Sequence, residues 1–158
     1  MTLEEEVGRL LTERGETLAI AESLTGGLVT SRITDVPGSS AYLVEGVIAY
    51  ANEAKEARLG VEEATLIAHG AVSEPVAREM AEGIMKRAGT TWGISTTGIA
   101  GPTGATEEKP LGLVYVAVAG PQGTEVRRNV FPGTRLAVKH ASSEAVLALL
   151  LEQMEAPS

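Results

Sequence analysis

The chain of 158 residues has no cysteine, two histidines, one tryptophan and one phenylalanine. Without cysteine there are no disulfides, no thiol nucleophile and no thiolate zinc site. His69 and His140 fit no metal-ligand or catalytic spacing, so a metal-free mechanism is expected. With only 3% aromatic residues, the core must be built from Ala, Val, Ile and Leu, which suits close packing of helices on a sheet. No apolar run is long enough to span a bilayer. The acidic start, Met1-Thr2-Leu3-Glu4-Glu5-Glu6, is unlike a secretion signal. The expected compartment is therefore the cytoplasm, with no membrane partner. Positive charge is scarce as well: 13 Lys and Arg stand against 21 Asp and Glu, a formal net charge of -8. A general nucleic-acid binder would carry a basic face, so no nucleic-acid partner is expected. An anionic substrate would need a local basic pocket working against the overall field.

What is present is a chain with 44% apolar residues and 18 dispersed glycines, read as one domain over residues 1–158 with many tight turns. Leu3, Val7, Leu10 and Leu11 form one helical stripe over 3–14, with Thr2 as N-cap and Gly15 as stop. A buried strand follows at 17–21, and Gly26-Gly27 opens a helix to about Ile33. Residues 44–49 form a second strand, and Asn52 is expected to cap a short helix carrying Lys55. Helical pieces follow at 62–69 and, behind Ser73-Glu74-Pro75, up to Ala88. A third strand at 91–96, a loop over 97–110, a hairpin of 113–119 with 125–131, and a helix over 134–154 complete the chain. Early strand–helix alternation and a late hairpin predict a three-layer α/β/α sandwich. Its sheet is expected to be mostly parallel, with about five strands and one antiparallel strand. The apolar helix faces serve either the core or a symmetric homodimer interface, and the sequence leaves that choice open.

Three places combine hydroxyls and glycines, and the first of them adds a base. Ser40 is followed by Tyr50 and Lys55, joining a serine to a lysine able to take its proton when desolvated, with a tyrosine to relay it or hold the amine neutral. Glu22-Ser23-Leu24-Thr25-Gly26-Gly27 falls where a strand ends and a helix begins, the usual location of ligands in open α/β sheets. Free amides there, with the Ser23 and Thr25 hydroxyls, can bind an anion or polarise a carbonyl, or simply cap the helix. The stretch from Thr96 and Thr97 through Gly98 to Gly104 also follows a strand, and its backbone can approach a ligand closely. Four basic residues, Arg127, Arg128, Arg135 and Lys139, lie near the C-terminus. Arg135 opens the last helix, where the dipole disfavours a cation; a phosphate or carboxylate partner would explain it, as would pairing with a nearby acid.

Taken in order, several segments resemble the C-terminal domain of the competence/damage-inducible CinA family. They are Ala21 to Gly27, Tyr50 to Lys55, His69-Gly70-Ala71-Val72-Ser73-Glu74, Gly98-Ile99-Ala100-Gly101-Pro102 and Phe131-Pro132-Gly133. Stand-alone members are nicotinamide-nucleotide amidohydrolases, or NMN deamidases, which serve pyridine nucleotide salvage. The resemblance implies hydrolysis of nicotinamide mononucleotide (NMN) to nicotinate mononucleotide and ammonia, on a three-layer α/β/α fold, with no metal or organic cofactor. It implies Ser40 as nucleophile, Lys55 as base and Tyr50 as the group adjusting the lysine. Ser23 is the alternative nucleophile. Ser23 and Thr97 are implied as substrate or oxyanion contacts, with Gly26 and Gly98 in their loops, and Arg135 as phosphate anchor. The better-known members carry a further N-terminal domain, and this chain is expected to begin at the deamidase domain. Relatives often have a small residue at the position of Leu24, so the leucine either reshapes the pocket or turns into the core. The rival to an enzyme is a nucleotide-binding regulatory module that keeps the pocket without turnover.

Overall fold

In the computed structural model, which describes residues 1–157, eleven helices and strands follow one another in the chain. They are α1 (Leu3–Arg14), β1 (Leu18–Glu22), α2 (Leu28–Thr34), β2 (Leu43–Ile48), α3 (Asn52–Leu59), α4 (Glu63–His69), α5 (Glu74–Ala88), β3 (Trp92–Gly98), β4 (Leu113–Gly120), β5 (Gly123–Val130) and α6 (Arg135–Glu155). A single 3₁₀ turn, Ser39–Ala41, leads into β2. The capping chemistry is local. Thr2, Ser73 and Thr134 each accept an amide hydrogen bond at the start of α1, α5 and α6. Contrary to expectation, Asn52 does not cap α3 but is its first residue; Ala51 occupies the cap position without a side-chain bond.

The five strands lie in the order β2-β1-β3-β4-β5. β1 pairs in parallel with β2 and β3, whereas β4 pairs antiparallel with β3 and β5. One strand opposes the other four, as expected. Because that strand is internal, however, two of the four ladders are antiparallel, and the sheet is evenly mixed rather than mostly parallel.

Alternation along the strands makes the two faces of the sheet chemically different. Leu18, Ile20, Ile94, Val114, Val116 and Val118 meet the apolar stripes of α1, α2 and α6 in the larger core. The opposite face offers Ala19, Ala21, Ala117 and Ala119 to α5 and to the helices α3 and α4 beside it. Small side chains bring α5 close to the sheet. A Cβ on Gly93 would run into the Ala81 carbonyl oxygen of α5. With helices packed on both faces, the polar groups that follow β1, β2 and β3 converge at the carboxyl end of the sheet.

Candidate active site

The site is assembled from what comes next after each parallel strand. Ser23 is the first residue beyond β1, and its amide donates to the Thr96 carbonyl of β3 at 3.1 Å, which holds the turn against the sheet. The Thr25 and Thr96 hydroxyls meet at 2.7 Å and fasten the same turn a second time. Gly26 and Gly27, with φ of 58° and 104°, then supply the left-handed backbone that swings the chain into α2.

Glu22, the last residue of β1, is fully buried. Its carboxylate accepts from the amides of Gly27 (3.0 Å), Val29 (3.0 Å) and Thr30 (2.8 Å), and from the Thr30 hydroxyl (2.6 Å). The negative charge therefore sits on the positive end of α2. This corrects the expectation of free amides at that helix N-terminus, because an internal carboxylate already occupies them. The amides of Leu24 and Thr25, directly after Ser23, find no acceptor among the described residues. The Leu24 side chain turns into the larger core and does not shape the site.

Lys55 enters from α3, after β2, and is 1% exposed. Its Nζ donates to Ser23 Oγ at 3.0 Å and to the carbonyl oxygens of Ala49 at 2.9 Å and Tyr50 at 2.8 Å. Desolvation pulls its pKa down from 10.5 to about 8. A neutral amine keeps two N–H groups and one lone pair. The two carbonyls take the N–H groups, which leaves the lone pair directed at the Ser23 hydroxyl.

Other expected site residues fall differently. Ser40 is exposed on the 3₁₀ turn that precedes β2, whereas Lys55 follows that strand. Six strand residues, roughly 20 Å, separate the two ends, so Ser40 and Lys55 are not brought together. Tyr50 contributes its carbonyl to Lys55, but its side chain is 61% exposed and its hydroxyl accepts from the Arg135 guanidinium at 3.2 Å. The hydroxyl makes no hydrogen bond to Lys55. Thr97 is buried and donates its hydroxyl to the Ala71 carbonyl at 2.9 Å, so that proton ties β3 to the segment before α5. Gly98 ends β3, paired with Val114 of β4, and a Cβ there would press on the Leu113 carbonyl. Gly26 is exposed, and a Cβ on it would lie 3.8 Å from Lys139 Nζ. Arg135, exposed at the start of α6, donates to the Gly101 carbonyl at 2.9 Å as well as to Tyr50.

Reasoning from the sequence missed Glu22 and the approach of Lys139 to the site. A carboxylate closing an otherwise apolar strand, just before a helix start, was a visible signal for the first. For the second, Lys139 stands four residues after Arg135, on the same helical face. Among the described residues, no group of three or more His, Asp or Glu side chains could hold a metal ion, and no helix is long and apolar enough to cross a membrane.

The likeness to known proteins extends over the same elements. A family model described as the CinA C-terminal domain matches residues 1–154. CinA-like proteins from Syntrophus aciditrophicus (strain SB) and Chlorobaculum tepidum are each 53% identical, over 99% and 98% of this chain. The chain spans 38% of the length of each of these two relatives. Among solved structures, competence damage-inducible protein A from Klebsiella pneumoniae is 36% identical with a TM-score of 0.93, over 96% of this chain and 94% of that one. A competence/damage inducible protein from Agrobacterium tumefaciens is 35% identical with a TM-score of 0.90, over 95% and 94%. With one family model over nearly its whole length and close agreement in fold, the chain belongs to the CinA C-terminal domain family.

Proposed function

We propose that the chain is a serine-type amidohydrolase that converts NMN and water to nicotinate mononucleotide and ammonia, with Ser23 as nucleophile and Lys55 as its base. The observation that carries this reading is the 3.0 Å hydrogen bond between a buried lysine and a buried serine hydroxyl. A lysine with no role other than structure would be expected to keep its charge near a carboxylate or solvent. Lys55 instead meets two carbonyls and a hydroxyl, and with a pKa of about 8 roughly a tenth of it is neutral at pH 7.

In this mechanism neutral Lys55 takes the Ser23 proton as Oγ attacks the carboxamide carbon. The amides of Leu24 and Thr25, unpaired and beside the nucleophile, are the available donors for the oxyanion. Lys55 passes its proton to the leaving nitrogen, the C–N bond breaks, and ammonia departs from a Ser23 ester. Water then attacks the ester carbon while Lys55 accepts its proton. Collapse releases the product acid, which ionises by giving its proton to solvent, and Lys55 returns its proton to Ser23 Oγ. Every step draws only on groups of the chain and on water.

Ammonia release from NMN by the purified protein, run beside Ser23→Ala and Ser40→Ala, tests the reading. The wild-type protein and Ser40→Ala are expected to turn over at similar rates, and Ser23→Ala to be essentially inactive. Normal turnover by Ser23→Ala would sink the assignment of the nucleophile. NMN binding by the wild-type protein without ammonia release would point instead to a binding module.

A further inference from the structure

We infer that Thr25, held by Thr96, is a positioning residue that aims the amides after Ser23 at the oxyanion by keeping one peptide group from turning over. The inference rests on the Ser23–Lys55 reading and adds a residue whose hydroxyl bonds to neither of them.

Ser23, Leu24, Thr25 and Gly26 form one reverse turn, closed by the Gly26 amide on the Ser23 carbonyl at 3.1 Å. Among such turns, type II needs a positive φ at the third residue, and the primed types need one at the second. Neither Leu24 nor Thr25 has a positive φ, so the turn is of type I. In that type both central residues are near-helical, and their amides point to the same side. Turning over the central peptide, between Leu24 and Thr25, converts the turn toward type II and carries the Thr25 amide to the opposite side. One of the two donors proposed for the oxyanion is then lost.

The bonds that fix the rest of this turn leave that peptide free. The Ser23 amide is tied to the Thr96 carbonyl, the Thr25 carbonyl to the Leu28 amide at 3.0 Å, and the Gly27 amide to Glu22. The Leu24 carbonyl and the Thr25 amide, which are the polar groups of the central peptide, have no partner among the described residues. What restrains it is the Thr25 side chain. Its hydroxyl meets that of Thr96 at 2.7 Å, with both residues at most 1% exposed. Thr96 is a firm anchor, because β3 is paired on one side with β1 and on the other with β4. Thr25 is also β-branched, which penalises the positive φ that a turned peptide requires. Gly26 and Gly27, which follow it in left-handed conformation, have no side chains to supply such a restraint.

Acylation of Ser23 by p-nitrophenyl acetate tests the inference without requiring NMN. Ser23 Oγ attacks the acetyl carbon, Lys55 takes its proton, and p-nitrophenolate leaves. Peptide mass spectrometry locates the acetyl group, with Ser23→Ala as the blank. Thr25→Val keeps the shape and removes the hydroxyl. It should slow acylation and lower kcat for NMN at least about tenfold, with KM within about threefold of wild type. Thr25→Ser should recover most of the rate. Thr25→Val combined with Thr96→Val should be no slower than Thr25→Val alone, because both act through one bond. The pH midpoint of about 8 should stay in place throughout, since Lys55 keeps its contacts. Rates are read at a temperature where melting curves show each variant folded. Wild-type rates in Thr25→Val, a loss confined to KM, a moved midpoint or no recovery in Thr25→Ser overturns the inference. So does a wild-type protein that is not acylated at Ser23. Failure of the NMN reading alone looks different: Ser23 is acylated, NMN yields no ammonia, and the acylation rates of the threonine variants still decide.

Discussion

Both ends of the sheet carry hydroxyl side chains, but only the carboxyl end buries charged groups among them, Glu22 and Lys55. At the carboxyl end Glu22, Ser23, Thr25, Lys55, Thr96 and Thr97 are all at most 7% exposed, and each is bonded to a partner from another segment or from a following helix. At the amino end, Ser39 and Ser40 share one 3₁₀ turn, in which Ser39 is buried and Ser40 stands in solvent. Burying an ammonium and a carboxylate costs stability unless every polar group is satisfied. The fold accepts that cost at one end only. A serine in that end meets a base, while an equally hydroxylated turn at the other end has no chemistry to join.

Breaking the buried pair gives the largest expected effect. On the proposed mechanism, Lys55→Met should lower ammonia release by roughly four orders of magnitude, because the proposed nucleophile and base would act as one unit. In the wild-type protein, kcat/KM should rise with pH and level off above an apparent pKa of about 8. Stability should move the same way. Below pH 8 the lysine is charged in both states, and the folded state bears the full cost of burying it. Between about 8 and 10.5 the unfolded chain binds a proton that the folded one has lost, so stability rises with pH. The rise is about 3 kcal/mol, and denaturant melts across pH 7 to 11 should show it in the wild type and not in Lys55→Met. A flat wild-type profile would mean that the buried amine is charged throughout.

Glu22→Gln sharpens the comparison at intermediate size. The amide cannot accept from all four donors with the strength of a carboxylate, so about 2 kcal/mol of stability should be lost. Since Glu22 touches neither Ser23 Oγ nor Lys55, it acts by setting the turn. A fall in kcat of about tenfold with KM nearly unchanged is expected, and a variant that only unfolds more easily would keep its kcat at low temperature.

Much of the fold was legible from the sequence because its causes are local. Thr2 with Gly15 marked α1, Ser73-Glu74-Pro75 marked the start of α5, and the turn residues Gly120-Pro121-Gln122-Gly123 between two strand-forming runs marked the hairpin. The ladder balance was not legible, because pairing β4 between β3 and β5 depends on sheet order rather than on any segment's own pattern. At the candidate site, Lys55 and Ser23 were both visible, but the structure bonds Lys55 to Ser23 and does not bring it to Ser40. Closeness along the chain suggested a pair with Ser40, yet the intervening residues form a strand, which carries its two ends to opposite sides of the domain. Tyr50 misled for a related reason: its carbonyl faces Lys55 while its side chain points toward α6. Glu22 escaped notice because the apolar run ends at Ala21, which puts the glutamate in the turn beyond the strand, whereas β1 extends through it.

Ser40→Ala is the smallest prediction and the most direct probe of the contrast between the two ends. The Ser40 side chain is exposed and makes no hydrogen bond among the described residues, so its removal should change stability by no more than about 0.5 kcal/mol. Turnover of NMN should stay within about twofold of wild type, since the strand β2 holds this turn away from Lys55. A large loss of activity with an unchanged melting curve would overturn the division of roles. It would require the amino end of one chain to reach the carboxyl end of another, because within one chain the strand keeps them apart.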